Sequence, residues 1–433
     1  MLKPSIRVLV AILSFTTPVA AQVMLCADSP PSASVSGTSG PFVAAQCTLE
    51  ASTDGTILVI ASTSVNRVDT DHTQLSLKVG IDQPGGLGLV ASERVVDIYG
   101  TTYLERQNTM ATVAAPVVAG SHTLYYFAER VVGTATVTLY RPRIMAIFIP
   151  SGETNIRVCE GRWIGEYTTD IFSQTIVASC SLSGLGMGSA LVSSDGWMRL
   201  GDSQAELNAD LRGNQPTTVE PGTVRRLDVV GDTVYDGVDS SLATSYLTSL
   251  GPGIAYFYMT IARSAGPGTV SVMWPGLAAL WVATGGPVLS NSAVLPGEWT
   301  TTTITSTTML ETTLNPAVDG YFLILATASI SPDTADYTAH FMARIDTGDD
   351  IANRYVKIND TIDRNLALSD LVPVSAGSHT IRLAGGRYDT PASTSLRVRD
   401  GSLSVLFFPK EMVAIFGDGF ETDSLSNWSS IGP

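Results

Sequence analysis

The chain has 433 residues, of which only 15% are charged, and its 40 acidic and 25 basic residues give a formal net charge of −15. An acidic surface of this kind repels nucleic-acid phosphates and anionic lipid, so neither is expected as a partner. The length is sufficient for several domains, each with its own hydrophobic core.

The N-terminus has the three regions of a secretory signal in their usual order. Lys3 and Arg7 precede an apolar run from Val8 to Phe15, and small residues follow as far as Ala21. An N-terminal membrane anchor is the alternative, but so short a run cannot span about 30 Å of hydrocarbon. We predict a signal peptide over residues 1–21 and a protein that is secreted, periplasmic or on the cell surface, without an integral membrane segment.

One two-strand phrase occurs three times in the chain. The letters Ala-Gly-Ser-His end at His122 and again at His379, and a less similar copy places Ile254 near the same point. A nearly constant shift held over about a hundred residues indicates internal duplication. We predict three homologous domains and a separate C-terminal tail, with boundaries at 22–152, 153–285, 286–410 and 411–433.

Each copy consists of short runs rich in Val, Ile, Thr, Tyr and Phe, separated by clusters of Gly, Pro, Asp and Asn. This pattern is typical of strands and turns. Strands that bury one face pack most simply as two sheets. The predicted fold is therefore all-β, with three tandem β-sandwich domains of jelly-roll type.

The four cysteines form two pairs of identical spacing. Cys26 and Cys47 lie 21 residues apart, as do Cys159 and Cys180, and the second pair is displaced from the first by 133 residues. Reduced core cysteines and a four-thiolate metal site are the alternatives, but the spacing lacks the Cys-x-x-Cys arms of zinc sites. Duplicated pairs predict duplicated bonds, Cys26–Cys47 and Cys159–Cys180.

The tail contains Asp-Gly-Phe-Glu at 418–421 and Trp-Ser at 428–429. It resembles a short phrase that closes many exported proteins of Gram-negative bacteria, especially Lysobacter-like and Xanthomonas-like gammaproteobacteria, although Asp423 stands where that phrase usually has Gly. The resemblance implies a Gram-negative origin and export. An alternative is that the tail aromatic residues pack on the third domain as a terminal clasp: Phe416, Phe420 and Trp428.

The three-domain body is similar to jelly-roll modules of the C1q and tumour-necrosis-factor type in its strand rhythm and its aromatic closing strand. This resemblance implies ligand or receptor binding rather than catalysis. It also implies that the three copies pack around a pseudo-threefold axis.

Catalytic constellations are not apparent. An apolar residue, Ile254, in the middle copy favours a structural role for His122 and His379. The letters Gly-Asp-Ser ending at Ser203 are similar to the start of a serine esterase motif, but no histidine lies between Ser203 and His340 to act as its base.

Two kinds of ligand site are worth testing. The acidic loop with Asp346, Asp349 and Asp350 offers oxygen ligands for calcium, which is the one cofactor that the sequence leaves open. The alternative is a solvated acidic turn. The carboxylates at 232, 236 and 239 could likewise form either a calcium site or a solvated turn. Trp197 and Trp299 are candidates for sugar-stacking platforms, and burial in a core is the alternative.

The sequence thus favours a secreted, non-enzymatic protein that binds an unknown protein or glycan, or that serves as a surface-structural module. A carbohydrate-binding protein with loop calcium and an uncharacterised hydrolase are the alternatives.

Overall fold

The structure is a computed structural model that describes residues 22–36, 40–67, 72–83, 92–98, 106–169, 172–200, 205–229, 240–266, 269–295, 297–332, 337–348, 350–358, 364–388 and 395–414. It is all-β in these ranges, apart from 3-10 residues at Ser92 and at Lys410–Met412, and it consists of three domains with the same strand order.

The strands of the first domain are β1 (Val23–Asp28), β2 (Ser32–Val35), β3 (Phe42–Ala51), β4 (Gly55–Arg67), β5 (Thr73–Ile81), β6 (Arg94–Ile98), β7 (Arg106–Val117), β8 (Gly120–Val132) and β9 (Val137–Pro150). Those of the second are β10 (Ile156–Arg162), β11 (Glu166–Thr169), β12 (Thr175–Leu185), β13 (Gly188–Leu200), β14 (Ala205–Arg212), β15 (Arg225–Val229), β16 (Ser240–Leu250), β17 (Gly253–Ala265) and β18 (Val270–Ala283).

The third domain has β19 (Leu289–Val294), β20 (Trp299–Thr301), β21 (Thr307–Leu314), β22 (Gly320–Pro332), β23 (Tyr337–Ile345), β24 (Asp350–Ile358), β25 (Arg364–Val374), β26 (His379–Arg387) and β27 (Leu396–Pro409). A 3-10 turn (Lys410–Met412) and β28 (Val413–Ala414) follow. The domain boundaries predicted at 152/153 and 285/286 fall in the connections β9–β10 and β18–β19. Strand β28 pairs in parallel with β1, so the C-terminal end of the third domain returns to the first.

The strand pairing is that of a jelly roll. In the first domain β1 pairs with β9, β3 with β8, β4 with β7 and β5 with β6. The strands of the first half of the domain thus pair with those of its second half in reverse order. The pairs collect into an inner sheet, β1-β9-β4-β7, and an outer sheet, β3-β8-β5-β6. The second domain repeats this as β10-β18-β13-β16 and β12-β17-β14-β15, and the third as β19-β27-β22-β25 and β21-β26-β23-β24. The all-β jelly-roll prediction is confirmed.

Each domain begins its second inner strand with a glycine for a steric reason. A Cβ atom on Gly55 would stand 2.4 Å from the Ile149 carbonyl oxygen and 2.5 Å from the Phe148 ring. Gly320 meets the Phe407 ring in the same way, at 2.4 Å. The repeated pairing of a glycine with a buried aromatic ring is therefore a packing requirement, because only glycine leaves room for the ring.

Both predicted disulfides are present. Cys26–Cys47 and Cys159–Cys180 each join the first strand of an inner sheet to the first strand of an outer sheet, with Cα atoms 5.8 Å apart. In the third domain the corresponding strands are joined by a hydrogen bond instead, from Asn291 Nδ2 to the Thr313 carbonyl at 2.8 Å. Disulfides of this kind persist in oxidising compartments.

A fourth hydrophobic core lies between the three domains. The sides of the inner sheets that face away from their own sandwiches meet there, and each domain contributes apolar residues from its central strands. Leu58, Leu191 and Leu323 occupy equivalent positions on β4, β13 and β22 and are 2%, 3% and 0% exposed. The domains consequently pack around a common pseudo-threefold axis, and they are not the independent units that separate cores alone would make.

Three fully buried arginines mark the same cyclic arrangement. Arg94, Arg225 and Arg354 lie on the outer-sheet edge strands β6, β15 and β24, and each is 0% exposed. Burial lowers the pKa of Arg94, and it lowers the pKa values of Arg225 and Arg354 to about 9. Each arginine reaches into the neighbouring domain.

Their partners are also equivalent to one another. The first-domain arginine pairs with Asp195 of the second domain. The second-domain arginine donates from Nη2 to Thr327 Oγ1 of the third at 2.6 Å, and the third-domain arginine donates from Nη2 to Ser62 Oγ of the first at 2.7 Å. The contacts run head to tail and close after three steps, as in a cyclic trimer. Here the ring is formed by one chain.

Candidate functional site

In the first domain a histidine closes the turn that precedes β8. The ring nitrogens of His122 face the Asp82 carboxylate, with Nδ1 to Oδ2 at 2.6 Å, and the Val118 carbonyl, with Nε2 to O at 2.7 Å. Asp82 also accepts the backbone N–H of Thr123 at 2.8 Å. Burial by itself would lower the pKa of His122, but these two acceptors outweigh it and raise the pKa. The group is a structural clamp that works best with a protonated imidazole.

The third domain has the same clamp. His379 Nδ1 lies 2.8 Å from Asp346 Oδ2, its Nε2 lies 2.9 Å from the Ser375 carbonyl, and Asp346 Oδ1 accepts the Thr380 N–H at 2.8 Å. The pKa of His379 is raised because the carboxylate and carbonyl outweigh burial, and the pKa of Asp346 is lowered because its two donors outweigh burial. The predicted structural role of these histidines thus depends on hydrogen bonds.

The second domain lacks the clamp, and the residue that replaces the histidine is not Ile254. Leu49 pairs with His122 in the first domain, whereas Leu182, its equivalent, pairs with Ala255. A shift of one residue moves a side chain to the opposite face of a strand. Ala255 is accordingly buried and Ile254 is 56% exposed.

In the second domain Tyr256 stands where the other two domains have the threonine beside the clamp, Thr123 or Thr380. Asn214 stands in the position of Asp82, and its Oδ1 accepts the backbone N–H of Tyr256 at 2.9 Å. The rings of Tyr256 and Tyr258 are stacked, with 6.5 Å between their centroids and their planes within 11° of parallel. Tyr256 is 43% exposed. The sequence analysis missed this pair, although the loss of both His and Asp from one copy was visible.

The two tryptophans predicted as sugar platforms do not offer open ring faces. Trp197 is 6% exposed and packs against Trp274, with 5.9 Å between ring centroids. Trp299 is half-buried and packs against the core of the third domain. The half-exposed indole of the second domain is Trp163, which meets the edge of the Tyr167 ring at 6.3 Å.

The acidic loop predicted to bind calcium uses its carboxylates elsewhere. Both oxygens of Asp346 belong to the histidine clamp, and Asp350 Oδ1 accepts from Arg344 Nε at 2.6 Å. Several of the predicted features lie outside the described residues: Asp349, the carboxylates at 232, 236 and 239, Ser203, the signal segment and the tail motif. Within the described ranges no cluster of three or more His, Cys, Asp or Glu side chains has the geometry to hold a metal ion.

A shallow apolar depression of about 480 Å³ lies at the end of the third domain. Pro287, Val318 and Phe407 line it, and Met412, which precedes β28, forms one side. The lining has one carboxylate, Glu411, and no base or nucleophile beside it. The depression therefore holds no set of groups suited to acid–base or nucleophilic catalysis. The chain that the structure describes has no helix with the length and apolar character of a membrane span.

No family model matches the sequence, and no curated protein matches it. Among solved structures, one from the Sulfolobus turreted icosahedral virus is 10% identical, covers 84% of this chain and 82% of its own, and has a TM-score of 0.18. A triple jelly-roll protein of an archaeal virus is 9% identical over 92% of each chain, with a TM-score of 0.19. A structure of infectious bursal disease virus, Gx strain, is 8% identical over 90% and 82%, with a TM-score of 0.20. Similarities this low do not indicate a function for this chain.

Proposed function

We propose that this chain is a secreted, non-enzymatic protein of a Gram-negative bacterium, whose three jelly rolls form one rigid body that binds a protein or glycan or serves as a surface-structural module. The observation that carries the proposal is the axial core with its cyclic arginine contacts. In a multimeric jelly-roll assembly such contacts join separate chains, whereas here they join three domains of one chain.

Three features support a binding or structural role. Disulfides, histidine clamps and buried ion pairs stabilise the part of the chain that the structure describes. The apolar depression at the end of the third domain lacks a set of acid, base or nucleophilic side chains. The similarity to C1q-type and tumour-necrosis-factor-type modules implies ligand binding. The net charge of −15 disfavours nucleic acid as the ligand.

Export and assembly are tested together on the protein recovered from its native host. Intact-mass analysis is expected to show a chain that begins at Gln22, and light scattering is expected to show a monomer. A full-length chain held in the membrane fraction would contradict secretion, and a chain that forms trimers would contradict the completeness of the intramolecular ring.

The absence of enzymatic activity is tested with a panel of ester, glycoside and peptide substrates. The expected result is no turnover above a control that was unfolded and reduced. Turnover that copurifies with the monomer would contradict the proposal and favour the hydrolase alternative.

A further inference from the structure

The third domain lacks the disulfide that joins the first strands of the two sheets in each of the other domains. The hydrogen bond from Asn291 Nδ2 to the Thr313 carbonyl takes its place. The apolar depression lies directly beyond this hydrogen bond, because Leu289 at the start of β19 and Asn315 after the end of β21 both line it. The depression is therefore next to the point at which the other two domains are crosslinked.

The lining of the depression is apolar and in contact with solvent. Pro287, Val318, Pro409 and Met412 are among the residues around its volume of about 480 Å³, and Val318 is 36% exposed. Apolar surface that remains in contact with water favours the burial of a further apolar side chain against it. An aromatic side chain suits such a surface, because it buries about 150–250 Å².

The C-terminal segment of the chain, residues 415–433, begins close to this depression. Met412 lies on its wall, and strand β28 follows and ends at Ala414. Because β28 pairs in parallel with β1, it leads along β1 and away from the depression. A segment that occupies the depression must therefore reverse its direction soon after Ala414.

The sequence after β28 has a signal for such a reversal, followed by an aromatic residue. The Gly-Asp-Gly stretch at 417–419 has the composition of a tight turn, and Phe420 comes directly after it. A reversal there would return Phe420 toward Met412, and the link from Ala414 to Phe420 spans at most about 20 Å. So short a link gives the side chain a local concentration on the order of millimolar beside the depression.

We propose that the depression is the docking site of the chain's own C-terminal segment and that Phe420 fills it. The contact is apolar and not ionic, because residues 415–433 include three acidic residues and no lysine or arginine, while the charged residue of the lining is Glu411. A second copy of the chain is the competing occupant, and the short link favours the intramolecular contact. The inference goes beyond the proposed function and does not depend on it.

The experiment measures amide hydrogen exchange by mass spectrometry on the full chain, with a free peptide of residues 415–433 as the unprotected reference. Phe420→Ala removes the proposed anchor and changes no residue of a described strand. Val318→Asp places a charge on the wall of the depression. Val118→Asp is its matched control, because Val118 is a 67% exposed valine in the turn between β7 and β8 of the first domain. Ser424→Ala is the control within the segment.

In the wild type, the amides around Phe420 are expected to exchange about tenfold or more slowly than in the free peptide. Phe420→Ala and Val318→Asp should each return them to the peptide rate, whereas Val118→Asp and Ser424→Ala should keep the protection. Wild-type amides that exchange at the peptide rate would overturn the docking, and so would protection that survives Phe420→Ala. If Val318→Asp lowers the unfolding temperature more than Val118→Asp does, Phe420→Ala decides the question.

Two further outcomes separate the site from its occupant. Protection that is lost in Phe420→Ala but kept in Val318→Asp would place the segment on another surface and overturn the depression as its site. Protection that rises with protein concentration, together with a dimer in sedimentation, would overturn the intramolecular contact and assign the depression to a second copy. None of these results concerns export or substrate turnover, so the proposed function is judged separately.

Discussion

Removal of Asp195 is the sharpest test of the way the domains are joined. Its carboxylate is 0% exposed and accepts the Thr112 N–H across the interface of the first and second domains. It pairs with the fully buried Arg94 and lies 3.6 Å from Arg162 Nη1. Asp195→Ala leaves the guanidinium of Arg94 buried without a counter-charge. Breaking a buried pair in this way costs about 3–5 kcal/mol, a large share of the roughly 5–15 kcal/mol that stabilises a typical protein.

The equivalent position in the first domain supplies the control. Ser62→Ala takes from Arg354 one hydroxyl acceptor, while the carbonyl of Asn353 remains bound at 2.9 Å. The same hydroxyl is also hydrogen-bonded to Ser369 Oγ at 2.7 Å, and each of the two hydrogen bonds that is lost costs about 0.5–1.5 kcal/mol. A double variant, Asp195→Leu with Arg94→Met, removes both charges of the pair and should recover part of the lost stability, because apolar replacements of buried pairs are often neutral. The Thr112 N–H and Arg162 still lose their acceptor in this variant.

The assay is urea unfolding followed by tryptophan fluorescence, with the free energy of unfolding obtained from the midpoint and the slope. The expected order of stability is wild type, Ser62→Ala, then Asp195→Ala, with the double variant well above the single one. A cost below about 1 kcal/mol for Asp195→Ala, or one no larger than that of Ser62→Ala, would refute the assignment of Asp195 as the charge partner of the buried arginine.

Three further predictions follow from the cores and clamps. The pKa of His122 is raised above its ordinary value of 6.5 in the folded protein. The stability that His122 contributes is therefore complete below the unfolded-state pKa and is lost as the pH rises through the folded-state pKa. His122→Gln should lose that part of the pH dependence of the unfolding temperature, and an unchanged pH profile would contradict the clamp. Reduction of either disulfide, Cys26–Cys47 or Cys159–Cys180, should lower the free energy of unfolding by roughly 3 kcal/mol, as the loop-closure entropy of the unfolded chain implies. A bond between cysteines of different domains, found by non-reducing peptide mapping, would overturn the pairing. Leu323→Ala should cost about 2–5 kcal/mol and lower one common calorimetric transition; a separate early transition confined to the third domain would show that the axial core is not shared.

The repeat made the domain plan and the disulfides accessible from sequence, because duplication preserves spacing. The axial core had a signal as well. Residues 57–61 on β4 and 322–326 on β22 are continuous apolar runs, and such runs indicate strands buried on both faces. In a free-standing sandwich one face of each strand would be polar, so these runs already required a second layer outside the sandwich.

The interface contacts were harder to predict. Arg94, Arg225 and Arg354 recur at intervals of 131 and 129 residues, yet a single arginine in a strand pattern is normally a solvent-exposed residue. Their burial depends on the neighbouring domain, which local periodicity cannot show. The alignment of Ile254 with His122 was wrong for a similar reason. Offsets of 132 and 133 fit the repeat equally well, but they match His122 with Ile254 or with Ala255, whose side chains lie on opposite faces of the strand.

Because the three domains belong to one chain, substitution and dilution affect their association differently than in a trimer of separate chains. In a trimer of identical chains, every mutation occurs three times and assembly depends on concentration. Here each substitution occurs once, and the linked domains meet at a high local concentration that dilution cannot lower. One joint can therefore hold the carboxylate of Asp195 while the corresponding joints keep the hydroxyls of Thr327 and Ser62. A single outer sheet can likewise lack the histidine clamp that the other two outer sheets keep.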